Sequence, residues 1–458
     1  MPGVEGIVAT VKTNFAHGGI LCTVISKSPM QAVSKITVEP YDRVELDRDD
    51  SGFFVRSFVE KATLRAYKSK LGRAVKNFEV AKGGASTDLK PVNDIVPDIM
   101  EALDTLAKAL ISGAPIVVHY HNDCDGASGA IALYRAIASK QEAFGLPSDR
   151  ISWQINNSIA YSKEAFASDL LLFNAYKSAE KPLVLILDFG TTDESLEAIE
   201  QATGRIDLIW IDHHPIPEGF PYKKIRHYIN PWLSGGDSNI TVGMLACLFA
   251  ELLSGVDENE LKQASLIGDH SAYANNRNEK AHKLAIVLDA LTIASPARHE
   301  KLTPRYMDRV IKNESEFDEI LRTASAQLAE ALEQGVKRAK HYKGRNGTDV
   351  YVLNYRYISD LYLEYVKLGK YASRLHDRFE VLSGDKTITM VYTDRFMTTR
   401  ISKSIAGDIG LLKIIEDLKA NSEYIESGGG HNEAAGLKMR ENCASTVIRL
   451  ILHEIGVP

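Results

Sequence analysis

Three short apolar runs constrain this chain more than any other feature, because each stops on residues that cannot stay buried without partners. Pro115-Ile116-Val117-Val118 leads into His119-Tyr120-His121-Asn122-Asp123-Cys124-Asp125-Gly126. Leu183-Val184-Leu185-Ile186-Leu187 stops on Asp188-Phe189-Gly190. A third run, ending Leu208-Ile209-Trp210-Ile211, stops on Asp212-His213-His214 and then Pro215. Apolar runs without alternation are the pattern of strands covered on both faces. A carboxylate or imidazole at the end of such a strand is costly to bury alone. Taken singly, Asp212-His213-His214 fits a solvated strand-to-loop junction about as well as it fits a ligand set. Three such endings in succession point to a common site at the carboxyl edge of a parallel sheet, where open α/β sheets bind ligands.

The flanking sequence supports that architecture. A helical stretch at 95–112 precedes the first run, and a helix of small residues follows it from Ala127. A helix near 257–267 ends in Gly268-Asp269-His270. Helices alternating with buried strands are the signature of an α/β fold. Residues 1 to about 80 read differently. Strand-like runs at 6–11, 20–25 and 36–38, punctuated by Gly, Ser, Pro and Asp, predict a small β-rich unit. Leu64, Tyr67, Leu71 and Val75 then recur at helical spacing. Around them Arg56, Lys61, Arg65, Lys68, Lys70, Arg73 and Lys76 face only Glu60. Beside Phe53, Phe54 and Phe58, such a basic helix suits a phosphate backbone whose bases stack on the rings. A solvated helix face over a small core has the same composition. Residues 82–94 have the composition of a linker.

Bulk properties exclude several classes. With 45% hydrophobic and 25% charged residues the chain is an ordinary globular sequence, and 458 residues suffice for two to four domains. Its 54 basic and 60 acidic residues give a net charge of −6, unlike a protein coated in positive charge for duplex binding. Cys22, Cys124, Cys247 and Cys443 form no CxxC pair, so neither a disulfide framework nor a zinc-thiolate site is expected. With no apolar run approaching a membrane span and no signal peptide, the expected location is cytoplasmic, with no membrane partner. The GxxxxGK, GxSxG and HExxH patterns are absent.

His119 or His121, with Asp123, Asp125, Asp188, His213 and Asp269, offer more ligands than one metal needs. Carboxylate with imidazole and no thiolate favours Mn²⁺ or Mg²⁺ over a closed structural zinc site. Enough carboxylates to bridge suggests two ions about 3.5–4 Å apart, the arrangement of phosphate-ester hydrolysis. Asp188, alone at the end of the middle strand, is the candidate bridge. Asp123 and Asp125, two apart, would point the same way from an extended backbone, and Gly126 would allow a sharp turn after them. Asp212 would orient a neighbouring histidine, and His214 would reach the substrate phosphate.

The HxDxDG spacing from His121 to Gly126, the isolated Asp188, Asp212-His213-His214 and Gly268-Asp269 resemble the four motifs of the DHH phosphoesterases. Gly428-Gly429-Gly430-His431-Asn432-Glu433-Ala434-Ala435-Gly436 resembles the GGGHxxAAG signature of the DHH-associated domain. A glycine run is a poor helix or strand interior but a good backbone cradle for phosphate. Arg400 stands where members of that family carry a phosphate-gripping arginine.

The resemblance implies an α/β fold: a parallel-sheet DHH domain and a smaller α/β DHH-associated domain, joined by a helical linker and preceded by the β-rich domain. The expected boundaries are 1–82, 92–300, 301–344 and 345–458. Within the family, the length and the added N-terminal unit look most like the archaeal RecJ-like exonucleases. Their pattern favours His121 over His119 as the ligand. It implies a Mn²⁺-dependent hydrolase of single-stranded DNA or RNA, with Arg400, Gly428, Gly429, Gly430 and His431 binding substrate and Lys61, Arg65, Lys68, Arg73 and Lys76 guiding the strand. Short oligonucleotides, cyclic dinucleotides or a small phosphate ester are the alternative substrates. A replication or repair scaffold without activity is the alternative of another class. Replication or repair proteins as partners follow only from the resemblance, and a homo-oligomer is left open.

Overall fold

The structure, a computed structural model, describes residues 4–14, 19–25, 29–34, 43–49, 52–60, 90–144, 146, 148–176, 180–293, 302–344, 347–359, 365–430 and 432–457. The chain divides into two compact units, Met1–Glu314 and Ser315–Pro458.

The first unit opens with five strands: β1 (Val4–Asn14), β2 (Gly19–Ile25), β3 (Pro29–Ser34), β4 (Arg43–Asp49) and β5 (Gly52–Glu60). They close into a barrel of order β1-β2-β3-β5-β4, with β3 and β5 parallel and the other pairs antiparallel. The β-rich reading of this region therefore undercounts its strands. Arg43–Asp49 alternates apolar Val44 and Leu46 with charge, a period-two signal that the charges obscure. Phe53, Phe54 and Phe58, expected beside a basic helix, lie on β5. The run at 36–38 and the helix expected over 64–75 lie outside the described residues.

After α1 (Lys90–Ser112) come the strands anticipated from the apolar runs: β6 (Ile116–His121), β8 (Leu183–Leu187) and β9 (Asp207–Ile211). With β7 (Ile151–Asn156) and β10 (His227–Ile229) they form a parallel sheet of order β10-β9-β8-β6-β7. All five residues of β8 are buried, which is why that run carries no polar alternation. The chain leaves β6 for β7 on one side, then returns to β8 on the other. The strand order reverses between β6 and β8, and crevices at such switch points bind ligands.

Helices cover the sheet. α2 (Cys124–Phe144) follows β6, α3 (Lys163–Tyr176) follows β7, and α4 (Leu196–Ala202) precedes β9. α5 (Val242–Ser254) and α6 (Asn259–Gly268) pack on α2, followed by α7 (Glu279–Leu291) and α8 (Pro304–Lys312). The small residues of α2 have a packing reason: a Cβ on Gly129 would meet the Ala246 Cβ of α5 at 2.9 Å. Among the described residues no helix is long and apolar enough to cross a membrane.

The second unit holds a mixed sheet of order β11-β12-β13-β14-β16-β15. Its strands are β11 (Lys340–Lys343), β12 (Asp349–Asn354), β13 (Thr387–Tyr392), β14 (Phe396–Ile401), β15 (Ile425–Gly430) and β16 (Ala434–Met439). Residues 301–344 hold α8 and α9 (Glu314–Arg338). α8 packs on α2 of the first unit, whereas Ala331 of α9 is buried in the core of the second, among Leu353, Tyr371 and Phe379.

Candidate metal centre

Strand register assembles the site. Tyr120 of β6 pairs with Leu187 of β8, and Leu187 with Ile211 of β9. The next residue on each strand therefore falls in one row: His121, Asp188 and Asp212. Asp188 adopts a left-handed backbone (φ 68°), a conformation that Asp tolerates better than most side chains. Two residues on, Gly190 (φ 100°) lies against Trp210, whose ring atom Cζ2 would stand 2.3 Å from an added Cβ.

The two acids after β6 are not on extended chain, as the sequence suggested. α2 begins at Cys124, so Asp125 sits in its first turn. Asp123 caps it, its Oδ1 accepting from the Gly126 N–H at 3.1 Å. Gly126 is required for a different reason than a turn: a Cβ there would stand 2.5 Å from the His121 carbonyl oxygen.

Around this row three groups of donor atoms converge, each with all its atoms within 4.8 Å: His121, Asp123 and Asp188; Asp188, His213 and His214; Asp125, His213 and Asp269. His121 Nδ1 lies 2.9 Å from Asp123 Oδ2 and 3.6 Å from Asp188 Oδ2. His213 Nε2 lies 3.4 Å from Asp188 Oδ1, 3.5 Å from Asp269 Oδ2 and 4.0 Å from Asp125 Oδ2. Asp188 and His213 thus belong to two groups each. His213 Nδ1 donates to the Ser238 carbonyl at 2.9 Å, which leaves Nε2 as the lone-pair nitrogen facing the acids.

The electrostatics fit a cation. Asp125 is fully buried, and its carboxylate accepts from the Val242 N–H (2.8 Å), the Gly243 N–H (2.7 Å) and Ser265 Oγ (2.5 Å). The start of α5 thus points two backbone donors and a positive helix end at it. Even so, burial and then the charges of Asp188 and Asp269 push its pKa well above the usual range. Burial and Asp123 push Asp188 up as well. Burial would lower His213, but Asp188, Asp269 and Asp125 together raise it well above its ordinary value. The strongest charges acting on Asp125 are four: the carboxylates of Asp188, Asp269 and Asp123, and one imidazole. Buried acids that resist ionisation, beside a histidine they would protonate, are a donor set suited to a hard divalent ion.

Asp212 points elsewhere. Its carboxylate accepts from Thr191 Oγ1 (2.5 Å), Thr191 N (3.2 Å), His213 N (2.8 Å), His214 N (3.3 Å) and His214 Nδ1 (2.7 Å). Burial alone would raise it, but the His214 imidazole and these donors hold it well below the usual carboxylate range. It stays anionic and fixes both histidines' backbone and the His214 ring.

Residues 115–286 match the DHH family, N-terminal domain. Residues 115–286 thus carry a DHH-type domain, the part of the chain that holds all the donor groups described above. The uncharacterized protein MJ1198 of Methanocaldococcus jannaschii is 32% identical over 213 residues, which are 43% of this chain and 27% of that protein. The chain therefore spans about a quarter of the length of that relative. Among solved structures, the DHH domain of PF0399, described as a member of the S1p family of ribosomal proteins, superposes with a TM-score of 0.68 at 21% identity. That superposition covers 85% of this chain and 99% of the other. RecJ from Thermus thermophilus, in complex with Mn²⁺, gives a TM-score of 0.50 at 18% identity over 85% of this chain and 60% of RecJ.

Within this domain the two candidate histidines part company. His121 faces the acids. His119 lies outside the three donor groups: its Nε2 is 2.9 and 3.0 Å from the two carboxylate oxygens of Asp169, which also accepts from Tyr161 OH at 2.6 Å. His119 is corrected from candidate ligand to member of a buried polar triad. His121→Ala should weaken Mn²⁺ binding by more than the 10–100-fold typical of a supporting residue. His119→Gln should leave it within about threefold, and isothermal titration calorimetry on the two variants would read the difference.

In the second unit, Arg400 donates to Ser373 Oγ (2.9 Å), Thr398 Oγ1 (2.8 Å), the Thr399 carbonyl (3.0 Å) and the Gly369 carbonyl (3.2 Å), and burial lowers it to about 10. Gly428, Gly429 and Gly430 form the end of β15, an edge strand, although such a run is by composition a poor strand interior. The reason is close approach: a Cβ on Gly430 (φ 133°) would meet the Ala434 carbonyl oxygen at 2.4 Å. Arg400 pairs with Ala434 on β16, next to the Gly430–Ala435 pair, so arginine and glycine run share one end of the sheet. His431 and the basic residues Lys61, Arg65, Lys68, Arg73 and Lys76 lie outside the described residues. Sequence reading missed Asp169, Thr191, Ser238 and Ser265, which act only through partners distant in the chain. Asp169, an acid inside Ala167-Ser168-Asp169-Leu170-Leu171-Leu172, carried a weak signal.

Proposed function

We propose that this chain is a phosphodiesterase that uses two divalent cations, Mn²⁺ before Mg²⁺, to shorten single-stranded DNA or RNA from an end. The observation that carries the reading is the sharing of Asp188 and His213 between adjoining donor groups. One group, His121, Asp123 and Asp188, would hold one ion; Asp125, His213 and Asp269 would hold the other, with Asp188 between them. Bound there, the cations would supply a water of lowered pKa and neutralise charge on the phosphate oxygens.

The chain's own residues do the rest. The Ser238 carbonyl fixes His213 with Nε2 inward. Asp212 holds the Nδ1 proton of His214, so Nε2 of His214 is the atom that would donate to a phosphate oxygen or the leaving group. Arg400 makes its hydrogen bonds to hydroxyls and carbonyls, with Asp377 the carboxylate acting on its charge, and would grip a substrate phosphate next to the glycine run. Nucleic acid as substrate is supported by the N-terminal barrel, whose five-stranded Greek-key order is that of oligonucleotide-binding barrels. In this reading residues 1–82 hold the strand, 92–300 cut it and 345–458 grip its end, with 301–344 as the connection.

A substrate limited to short oligonucleotides, cyclic dinucleotides or small esters is favoured by the net charge of −6. Digestion of end-labelled single-stranded DNA and RNA with Mn²⁺, with Mg²⁺ and with chelator separates the readings. Mononucleotides released progressively from a long strand, and only with cation, are the expected result. Turnover of dinucleotides alone would favour the second reading, and no hydrolysis with either cation would overturn both.

A further inference from the structure

One exposed ring beside the metal centre has no part in that chemistry. Trp232 lies in the turn Pro231–Ser234 after β10, with 42% of its surface exposed and Leu233 exposed next to it. Its position is tightly fixed. The indole Nε1 donates to the His213 carbonyl at 3.0 Å, an oxygen that also accepts from Ser238 Oγ at 2.7 Å. Asn230 Oδ1 accepts from the Trp232 N–H at 3.0 Å, and Asn230 Nδ2 donates to the His214 carbonyl at 3.0 Å. An indole is thus fastened by its edge to the His213 backbone, and through Asn230 its own backbone is tied to that of His214, while much of its surface stays in water. Trp210, by contrast, is completely buried, as expected of a tryptophan that serves packing.

We infer that Trp232 is a stacking platform for a nucleobase, a subsite for the base of the nucleotide whose phosphate enters the metal centre. The inference rests on the nucleic-acid reading of that centre and specifies it further. The ligand chemistry is a planar heteroaromatic ring one sugar away from a phosphate. Such stacking tolerates any base, because every base has a π-face. Rigid anchoring lowers its cost, since the ring does not have to be ordered on binding.

The chain has three tryptophans, and of the other two Trp210 is buried while Trp153 is half-buried with its ring edge against Tyr134. Of the three indoles Trp232 is the most open to a ligand, so a change in emission that disappears in Trp232→Phe reports on it. The test titrates the full chain with a nucleoside 5′-monophosphate, and with ribose 5-phosphate as the base-free control. Mg²⁺ is present throughout, because Mn²⁺ itself quenches indole. Wild type, Trp232→Phe and Trp232→Ala are compared. The expected result is quenching by the nucleotide alone, lost in Trp232→Phe. By isothermal titration calorimetry, which needs no indole, Trp232→Ala should weaken the nucleotide about tenfold and ribose 5-phosphate not at all, with Phe recovering most of the loss. Unchanged cation affinity in both variants would show that His213 has kept its place. The inference is overturned if the nucleotide leaves wild-type emission unchanged, or if Trp232→Ala weakens both ligands alike. Failure of the nuclease reading looks different: no labelled strand is cut, whatever the indole reports.

Discussion

Asp188→Asn is expected to abolish cation-dependent phosphodiester hydrolysis, by about a thousandfold or more, while leaving the cation-free protein at least as stable as the wild type. The size of the first effect follows from position. Asp188 belongs to two donor groups, so replacing one oxygen by an amide disturbs both, and a loss of several kcal/mol of transition-state stabilisation is three or more decades in rate. The second effect follows from charge. Asp188 is buried among Asp123, His121 and His213, and burial with Asp123 already disfavours its ionised form. Removing that charge relieves repulsion, and Asn accepts the left-handed backbone at this position as readily as Asp. Thermal melts with and without Mn²⁺ would separate the two effects. Wild type should gain stability with cation, about 2.7 kcal/mol at a hundred times Kd. The variant should gain little. A variant that melts well below the cation-free wild type would show that Asp188 holds the fold together, contrary to this account.

Asp125→Asn should behave in the opposite sense. Its carboxylate accepts three hydrogen bonds, two of them from the backbone at the start of α5. An amide of the same shape offers one oxygen, so its NH₂ group must face at least one of those donors. Hydrogen bonds to charged groups contribute about 1.5–3 kcal/mol each, and a buried orphan donor costs a similar amount. The expected loss is about 2–4 kcal/mol of stability without any cation, together with loss of activity. Urea denaturation under chelation is the measurement; a midpoint within error of wild type would refute the role given to α5. Asp125 differs from Asp188 in its three donors and not in its charge: burial and the charges of Asp188 and Asp269 push it up as well, so relieved repulsion offsets part of that loss.

How much of this was legible beforehand differs from element to element. The strand ends were readable because burial on both faces leaves an unbroken apolar run, so the first polar residue marks where the strand emerges. Register, which aligns His121, Asp188 and Asp212, is not written in any one strand; it follows from the pairing of β6, β8 and β9. The choice between His119 and His121 was open in the sequence, since two residues apart on a strand share a face. Asp169, fifty residues away on α3, removes His119 from the centre, and no local pattern predicts that encounter. The turn read into Asp123-Cys124-Asp125-Gly126 was in fact a helix start, because an N-cap acid and a turn acid use the same residue types. The glycine run, a poor strand interior by composition, ends a strand all the same, because glycine also marks places where two strands approach too closely for a side chain.

The bare contact between α2 and α5 has a consequence for how such a centre is lost. Gly129 lets α5 lie against α2, and Gly243, whose N–H reaches Asp125, has no room for a methyl group beside Ser265. One added carbon at either glycine would lever the donors away from the acid without replacing a single ligand. Inactivation can therefore begin in the greasy interior, in a chain whose motif residues all still read as intact.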